Sequence, residues 1–92
     1  MKDTIKEIKD YLGKPELIIG YNAVLRHLKH NELEKIFTAS NIPPEKLEEL
    51  EYYAKFNNTP IEKLSIPNDE LGAVCRKQFF ISVIAILKGS EK

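Results

Sequence analysis

The stretch Leu17-Ile18-Ile19-Gly20-Tyr21-Asn22 places a short, apolar and largely β-branched run directly before a glycine. A short run that is apolar throughout predicts a buried strand. Gly20 ends this strand, and Asn22 is a candidate N-cap for a helix that stops at Asn31. The stretch therefore predicts a strand that turns sharply into a helix, which is the repeating unit of α/β proteins.

The rest of the chain repeats this alternation of helices of roughly ten residues with short apolar strands. The predicted strands are Leu17–Ile19, Lys35–Ser40, Ile61–Ile66 and Phe79–Leu87, and the predicted helices are Thr4–Leu12, Asn22–Asn31, Pro44 up to the break at Asn57, and Pro67 to about Arg76. Alternation of this kind implies helices on both faces of one sheet. The sequence therefore predicts an α/β fold, a three-layer α/β/α sandwich.

Length and composition exclude several classes of protein. The 92 residues, 42% hydrophobic and 30% charged, predict one globular domain, residues 1–92. The longest apolar run, Ile81–Leu87, falls far short of the roughly 20 residues of a membrane-spanning helix, and no apolar signal core follows the first residue. We therefore expect a cytoplasmic protein without a membrane partner. A single cysteine excludes an intramolecular disulfide and any CxxC motif.

The formal net charge of zero argues at first against an anionic partner, but the charges are unevenly distributed. Residues 13–31 carry three basic side chains against one acidic, residues 71–92 carry four against one, and residues 32–70 carry nine acidic against four basic. Each basic region flanks a loop, at Gly20–Asn22 and at Arg76–Gln78. If these loops lie at one end of the sandwich, they form a basic patch opposite the acidic third helix.

A strand that runs into a glycine and then a helix N-terminus is suited to binding a phosphate or a base edge. Free backbone N–H groups and the positive end of the helix dipole face the ligand, Gly20 allows close approach, and the Asn22 amide can pair with a purine edge. Arg26 follows one turn later. Glycine and asparagine are also ordinary turn and cap residues, so the spacing alone leaves both interpretations open.

Four motifs, taken together and in order, resemble the ribosomal protein superfamily that binds kink-turn RNA. They are Leu17–Asn22 with Arg26, Ala39–Pro44, Glu49–Lys55 and Asn68–Gly72. The resemblance covers roughly residues 5 to 89 and is greatest to the large-subunit "protein thirty" type of archaea and eukaryotes. It implies a four-stranded mixed sheet within the sandwich and an RNA-binding role without catalysis, and we expect no cofactor or metal.

By this resemblance the partner is an RNA duplex bent sharply at an internal loop with tandem sheared G·A pairs, in this case ribosomal RNA. The residues that would contact this RNA are Gly20, Tyr21, Asn22, Arg26, Asn41, Arg76, Lys77 and Phe79. The loop Gly20–Asn22 would approach the sheared pairs, and Arg26 would approach a phosphate. Asn41 would lie in a neighbouring loop, and Phe79 would stack on an extruded nucleotide.

The resemblance implies a monomeric component of the archaeal large ribosomal subunit in the cytoplasm, with neighbouring ribosomal proteins as further partners. One alternative is a paralogue in another ribonucleoprotein, such as a guide-RNA modification particle or ribonuclease P. A second is a protein–protein adaptor that keeps the fold without binding RNA.

Three departures from the family pattern bear on these alternatives. Asn31-Glu32-Leu33-Glu34 stands where the family has Gly-Lys-x-Lys, which removes phosphate contacts or marks a protein-facing surface. Ala23 offers no hydrogen bond where many relatives have a polar residue. Arg76 replaces a frequent glycine, which adds a charge and changes the backbone freedom of its loop.

The aromatic residues have structural interpretations as well as functional ones. Phe79 begins an apolar segment, so a core position is as consistent with the sequence as a stacking one. Tyr52 and Tyr53 are adjacent on a helix and cannot share a face, so at least one is expected to pack.

The histidines and the cysteine have competing interpretations too. His27 and His30 have no third ligand nearby, so a metal site is not expected. Cys75 lies beside Arg76 and Lys77, where a depressed thiol pKa would be the starting point of an enzyme hypothesis. The sequence places no general base near it, which favours a structural cysteine.

Overall fold

The computed structural model describes residues 2–88, in which helices and strands alternate in the predicted order. The helices are α1 (Lys2–Asp10), α2 (Tyr21–Lys29), α3 (Pro44–Asn57) and α4 (Asn68–Val74), and the strands are β1 (Leu17–Ile19), β2 (Leu33–Thr38), β3 (Ile61–Lys63) and β4 (Val83–Leu87). Within the described residues, every helix is too short or too polar to cross a membrane.

The strands form one mixed sheet in the order β1-β4-β2-β3. β4 runs antiparallel to both β1 and β2, and β3 runs parallel to β2 at the opposite edge from β1. Ile19, the last residue of β1, pairs with Ile84, and Thr38, the last residue of β2, pairs with Val83. The loops that follow β1 and β2 and the loop that precedes β4 therefore lie at one end of the sheet.

Successive side chains of the central strands point to opposite faces of the sheet and supply two core layers. Phe37 and Ile84 pack with Ile8 of α1 and Leu71 of α4. On the other face, the neighbouring strand residues pack against α2 and α3: Ile36, Val83 and Ala85 with Val24, Leu28, Leu50 and Ala54. The predicted three-layer α/β/α sandwich is confirmed.

The last strand is shorter than predicted. It begins at Val83, and Phe79 and Phe80 are 59% and 72% exposed. The segment before the strand is attached to α4 instead of the sheet, because the Ile81 N–H donates a hydrogen bond to the Asn68 carbonyl at 3.1 Å. The apolar run from Phe79 thus combines a loop with a strand, and the core interpretation of Phe79 is wrong.

The other strands differ from the prediction at their ends or in their burial. β2 begins at Leu33 instead of Lys35, with an irregularity in its register with β4 between these two residues, and it ends two residues before the predicted Ser40. β3 ends at Lys63, three residues before the predicted Ile66. β1 has the predicted bounds but is half-buried instead of buried, because it lies at an edge of the sheet.

Three of the helices also differ from the prediction at their ends, and α4 occupies Asn68–Val74 instead of Pro67 to about Arg76. α1 occupies Lys2–Asp10 instead of Thr4–Leu12, and α2 ends at Lys29, two residues before Asn31. The N-cap of α2 is Gly20, and Asn22 lies inside the first turn, so the predicted cap is wrong.

Gly20 has a φ of +104°, which L side chains rarely adopt. The space where its Cβ would lie is open, so the backbone conformation, not packing, requires glycine here. Among the described residues, no side chain caps this end of α2, so Asn22 has no part in capping the helix.

Candidate nucleic-acid interface

Backbone hydrogen bonds hold three loops together at one end of the sheet. The Gly20 N–H, in the β1–α2 loop, donates to the Val83 carbonyl at 3.0 Å. The Ala39 N–H, just after β2, donates to the carbonyl of Ser82, just before β4, at 2.8 Å. The loop at residues 20–22 and the loop before the last strand therefore lie at one end of the sheet, which is the condition under which the sequence predicts a basic patch.

A cleft of about 320 Å³ opens between these loops, and its walls combine aromatic and basic side chains. The residues that define this aromatic cleft are Gly20, Tyr21, Lys46, Lys77, Phe79 and Phe80. Exposed aromatic faces beside lysines can hold an unstacked base together with its phosphate. Four predicted site residues, Gly20, Tyr21, Lys77 and Phe79, are therefore brought together.

Tyr21 is fixed in the wall of the aromatic cleft by α3. Its hydroxyl donates a hydrogen bond to the Glu49 carboxylate, and the Lys46 Nζ lies 5.0 Å from the centre of its ring. Burial, together with the hydrogen bond and charge of Glu49, raises the pKa of Tyr21 to about 12. Tyr21 is therefore neutral at physiological pH.

The charge distribution predicted an acidic third helix opposite the basic loops. The structure instead places this helix beside them. Glu49 of α3 directly contacts Tyr21, the first residue of α2. α2 and α3 pack side by side against the same face of the sheet, which places the Glu49 carboxylate beside the cleft. The cleft therefore has a basic and aromatic interior with an acidic border.

Asn22 and Arg26 are exposed and lie on α2 directly after the cleft residue Tyr21. They are four residues apart, so they share one face of the helix. Within residues 5–88 the Asn22 side chain has no hydrogen-bond partner, which leaves both its donor and its acceptor available to a ligand.

Asn41 is engaged with the start of α4. Its side-chain oxygen accepts a hydrogen bond from the Asn68 N–H at 2.8 Å, and its side-chain nitrogen donates to the Asn68 side-chain oxygen at 3.2 Å. It lies outside the set of residues that line the aromatic cleft. The structure thus gives Asn41 a role in attaching the β2–α3 loop to α4.

Arg76 has a left-handed backbone conformation, with a φ of +60°. Its N–H donates to the Ala73 carbonyl at 3.0 Å, and the next N–H, of Lys77, donates to the Gly72 carbonyl at 2.9 Å. A non-glycine residue in this conformation costs about 1–2 kcal/mol. The backbone is therefore strained at Arg76, a position that favours glycine. The Arg76 side chain adds an exposed positive charge there.

Gly72 and Phe80 contribute to the interface but are absent from the predicted set. A Cβ at Gly72 would lie 2.3 Å from the Phe79 carbonyl oxygen, so only glycine lets the Phe79 loop rest on α4. Phe80 is more exposed than Phe79. The sequence signal for Phe80 was the adjacent pair Phe79-Phe80, but both residues were assigned to the predicted last strand.

The histidines and the cysteine have structural environments. His27 Nδ1 lies 2.6 Å from Glu32 Oε1. Glu32, one of the acidic residues that depart from the family pattern, therefore has a partner within the protein. In the described part of the chain, no group of three or more His, Cys, Asp or Glu side chains is placed to hold a metal ion. Cys75 is buried, and burial raises its thiol pKa against a smaller opposing effect of Lys77. The enzyme hypothesis starts from a depressed thiol pKa at Cys75, and that expectation is therefore wrong.

The two adjacent tyrosines of α3 have different environments. Tyr53 is half-buried and packs on the core layer formed with α2, which confirms that one of the pair is a packing residue. Tyr52 is 58% exposed and makes an edge contact with Phe56, 71% exposed, at a centroid distance of 5.1 Å. This exposed pair lies outside the aromatic cleft.

Comparison with known proteins identifies the family. The model of the Ribosomal protein L7Ae/L30e/S12e/Gadd45 family matches residues 2–92. The chain belongs to this family. Its sequence is also 34% identical to the large ribosomal subunit protein eL30 of Methanocaldococcus jannaschii, over 92% of this chain and 77% of that protein.

A second relative within the L7Ae/L30e group is eukaryotic. The large ribosomal subunit protein eL30 of Candida albicans is 34% identical over 79% of this chain and 69% of that protein. The predicted resemblance to the "protein thirty" type of archaea and eukaryotes is therefore confirmed.

Solved structures share the fold of this L7Ae/L30e family member at lower sequence identity. The Giardia lamblia 15.5 kD RNA binding protein superposes with a TM-score of 0.83 at 18% identity, over 98% of this chain and 75% of that chain. A Bacillus halodurans protein of unknown function superposes with a TM-score of 0.82 at 13% identity, over 94% of this chain and 85% of that chain. These likenesses support the α/β sandwich.

Proposed function

We propose that this chain is an RNA-binding structural component of the large ribosomal subunit, acting in the cytoplasm as a monomeric domain of residues 1–92 without catalysis. Its ligand is ribosomal RNA bent at a kink-turn or a similar motif. The observation that carries this proposal is the aromatic cleft, where the β1–α2 loop meets exposed Phe79 and Phe80 beside Lys77. Membership of a ribosomal protein family supports the same role.

The geometry suits a bent RNA more than a regular duplex. In an A-form duplex the bases are stacked and the major groove is too deep and narrow for side chains to read. At a kink, bases leave the stack, and the faces of Phe79 and Phe80 can receive one of them. The exposed Asn22 amide then reads a base edge, while Lys46 and Lys77 neutralise phosphates.

The charge distribution favours recognition by shape over attraction by bulk charge. The chain has no net charge, and Glu49 borders the cleft beside Tyr21. Nonspecific binding scales with the number of phosphates neutralised, so an acidic border weakens binding to regular duplexes. Affinity then rests on a few placed contacts that only the bent RNA satisfies.

The exposed pair Tyr52 and Phe56 favours one second candidate, an adaptor that binds protein instead of RNA. The pair lies on the acidic helix α3, and exposed aromatic side chains are typical of protein interfaces. The acidic residues around it, including Glu48 and Glu51, would suit a basic segment of a protein partner.

Sedimentation of the tagged chain from its own cells tests the ribosomal role. We expect the chain to travel with the large subunit on a sucrose gradient. The Asn22→Ala variant should shift towards the top of the gradient, and Lys63→Gln, at the opposite sheet edge, should not. Migration of the unaltered chain with a smaller ribonucleoprotein would contradict the ribosomal role and favour a paralogue. Migration as free protein would favour the adaptor.

A further inference from the structure

A second cleft, of about 410 Å³, lies between the α1–β1 loop and the turn that follows α4. Its floor is apolar and includes Leu17, Ile19 and Cys75, and its rim carries Lys14, Arg76 and Lys77. All three rim side chains are exposed. Of the residues that the structure describes, no aspartate or glutamate lines this basic cleft. Its chemistry therefore suits an anion.

The basic cleft adjoins the aromatic cleft. Ile19 and Lys77 line both of them, so these two residues form the wall that the clefts share. A ligand that leaves the aromatic cleft over Lys77 enters the basic cleft directly. The two clefts can therefore be occupied by one continuous chain.

Lys14 is held at the rim by its own turn. Its N–H donates to the Tyr11 carbonyl at 3.0 Å, and its carbonyl accepts from the Leu17 N–H at 3.2 Å. The Lys14 Nζ also lies 5.5 Å from the centre of the Tyr11 ring. Arg76 and Lys77 are held across the cleft by the hydrogen bonds of their own turn. The backbone positions of the three cations are therefore fixed before a ligand binds, which reduces the ordering that binding requires.

We propose that the basic cleft binds the phosphodiester backbone of the RNA strand that continues from the nucleotide in the aromatic cleft, with Lys14 as a phosphate contact. This inference rests on the proposed function and extends its interface to the α1–β1 loop. The three cations stand on two separate turns and line an open cleft, which suits successive phosphates of a strand. The strained conformation of Arg76 places one of these charges at the rim.

The salt dependence of RNA binding tests the contact at Lys14. Affinity of the full chain for a kink-turn RNA is measured between 50 and 200 mM KCl for the unaltered protein, Lys14→Gln and Lys63→Gln. Each lost phosphate contact lowers the slope of log K against log salt by about 0.7–0.9. The advantage of the unaltered protein over Lys14→Gln should therefore shrink about threefold over this range. Lys63→Gln removes the same charge at the opposite sheet edge and should leave the slope unchanged.

A charge-retaining variant separates a phosphate contact from a structural role. Lys14→Arg should restore the slope, because arginine keeps the positive charge at the rim. If Lys14→Gln and Lys63→Gln have equal slopes while the unaltered protein still prefers the kinked RNA, the assignment of Lys14 is wrong and the proposed function stands. If the unaltered protein does not prefer the kinked RNA, the proposed function itself fails.

Titration with inorganic phosphate distinguishes an RNA backbone from a free anion in this cleft. We expect only weak, unsaturable shifts of the Lys14, Arg76 and Lys77 amide resonances, because water and salt screen the attraction between exposed cations and a small free ion. Tight, saturable binding of phosphate to the free protein, abolished in Lys14→Gln, would reassign the cleft to a small anion and overturn the inference.

Discussion

Replacing Asn22 with alanine is expected to lower affinity for a kink-turn RNA by about 5- to 150-fold, the effect of losing one paired base-edge contact. The Asn22 side chain is exposed and has no partner among the described residues, and α2 is capped without it. The loss should therefore come from RNA recognition alone. It is measured by titrating labelled RNA at fixed salt.

Two controls make the Asn22 result specific. The free energy of unfolding of Asn22→Ala should stay within about 0.5 kcal/mol of the unaltered protein, as for other surface substitutions. Binding to an RNA whose sheared G·A pairs are replaced by Watson–Crick pairs should change little. Unchanged affinity of Asn22→Ala for the kinked RNA would show that this side chain does not contact the base edge.

Replacing Gly72 with alanine is expected to destabilise the protein by about 1–3 kcal/mol and to weaken RNA binding. The new Cβ would meet the Phe79 carbonyl oxygen at 2.3 Å, and a backbone atom cannot move aside without displacing its loop. Thermal unfolding should show a melting temperature lower by about 4–8 °C for each kcal/mol lost.

Ala73→Gly is the matched control for Gly72→Ala. Ala73 is the exposed neighbour on α4, and glycine there costs about 1 kcal/mol through helix propensity alone. Both variants should be less stable, but at a temperature where both are folded only Gly72→Ala should lose RNA affinity. Equal affinities would contradict the role of Gly72 in placing the Phe79 loop.

The order of elements could be predicted because short apolar runs and helical spacing are local signals. The loop and strand within Phe79–Leu87 could not be separated, because the hydrogen bond from Ile81 to Asn68 joins residues that are distant along the chain. The prediction likewise gave Asn22 the cap position, because the hydrogen bond that attaches the observed N-cap residue, Gly20, to Val83 also joins residues that are distant along the chain.

The candidate site was predictable where a family motif carries it, as in the loop Gly20–Asn22. Motifs do not reveal contacts between separate elements. The hydrogen bond from Tyr21 to Glu49 spans 28 residues and places the acidic helix beside the cleft instead of opposite it. In the sequence, Lys14 counts only among the three basic residues of residues 13–31, because its position beside Arg76 depends on the fold.

Recognition of bent RNA by shape is tested most directly by one binding comparison. The unaltered protein is titrated at one salt concentration against a kink-turn RNA and against a copy whose sheared G·A pairs are replaced by Watson–Crick pairs. We expect affinity for the kinked RNA to be at least about tenfold higher, because only that RNA offers an unstacked base and open base edges to the cleft. Equal affinity for the two RNAs, or binding to neither, would contradict recognition of bent RNA by shape.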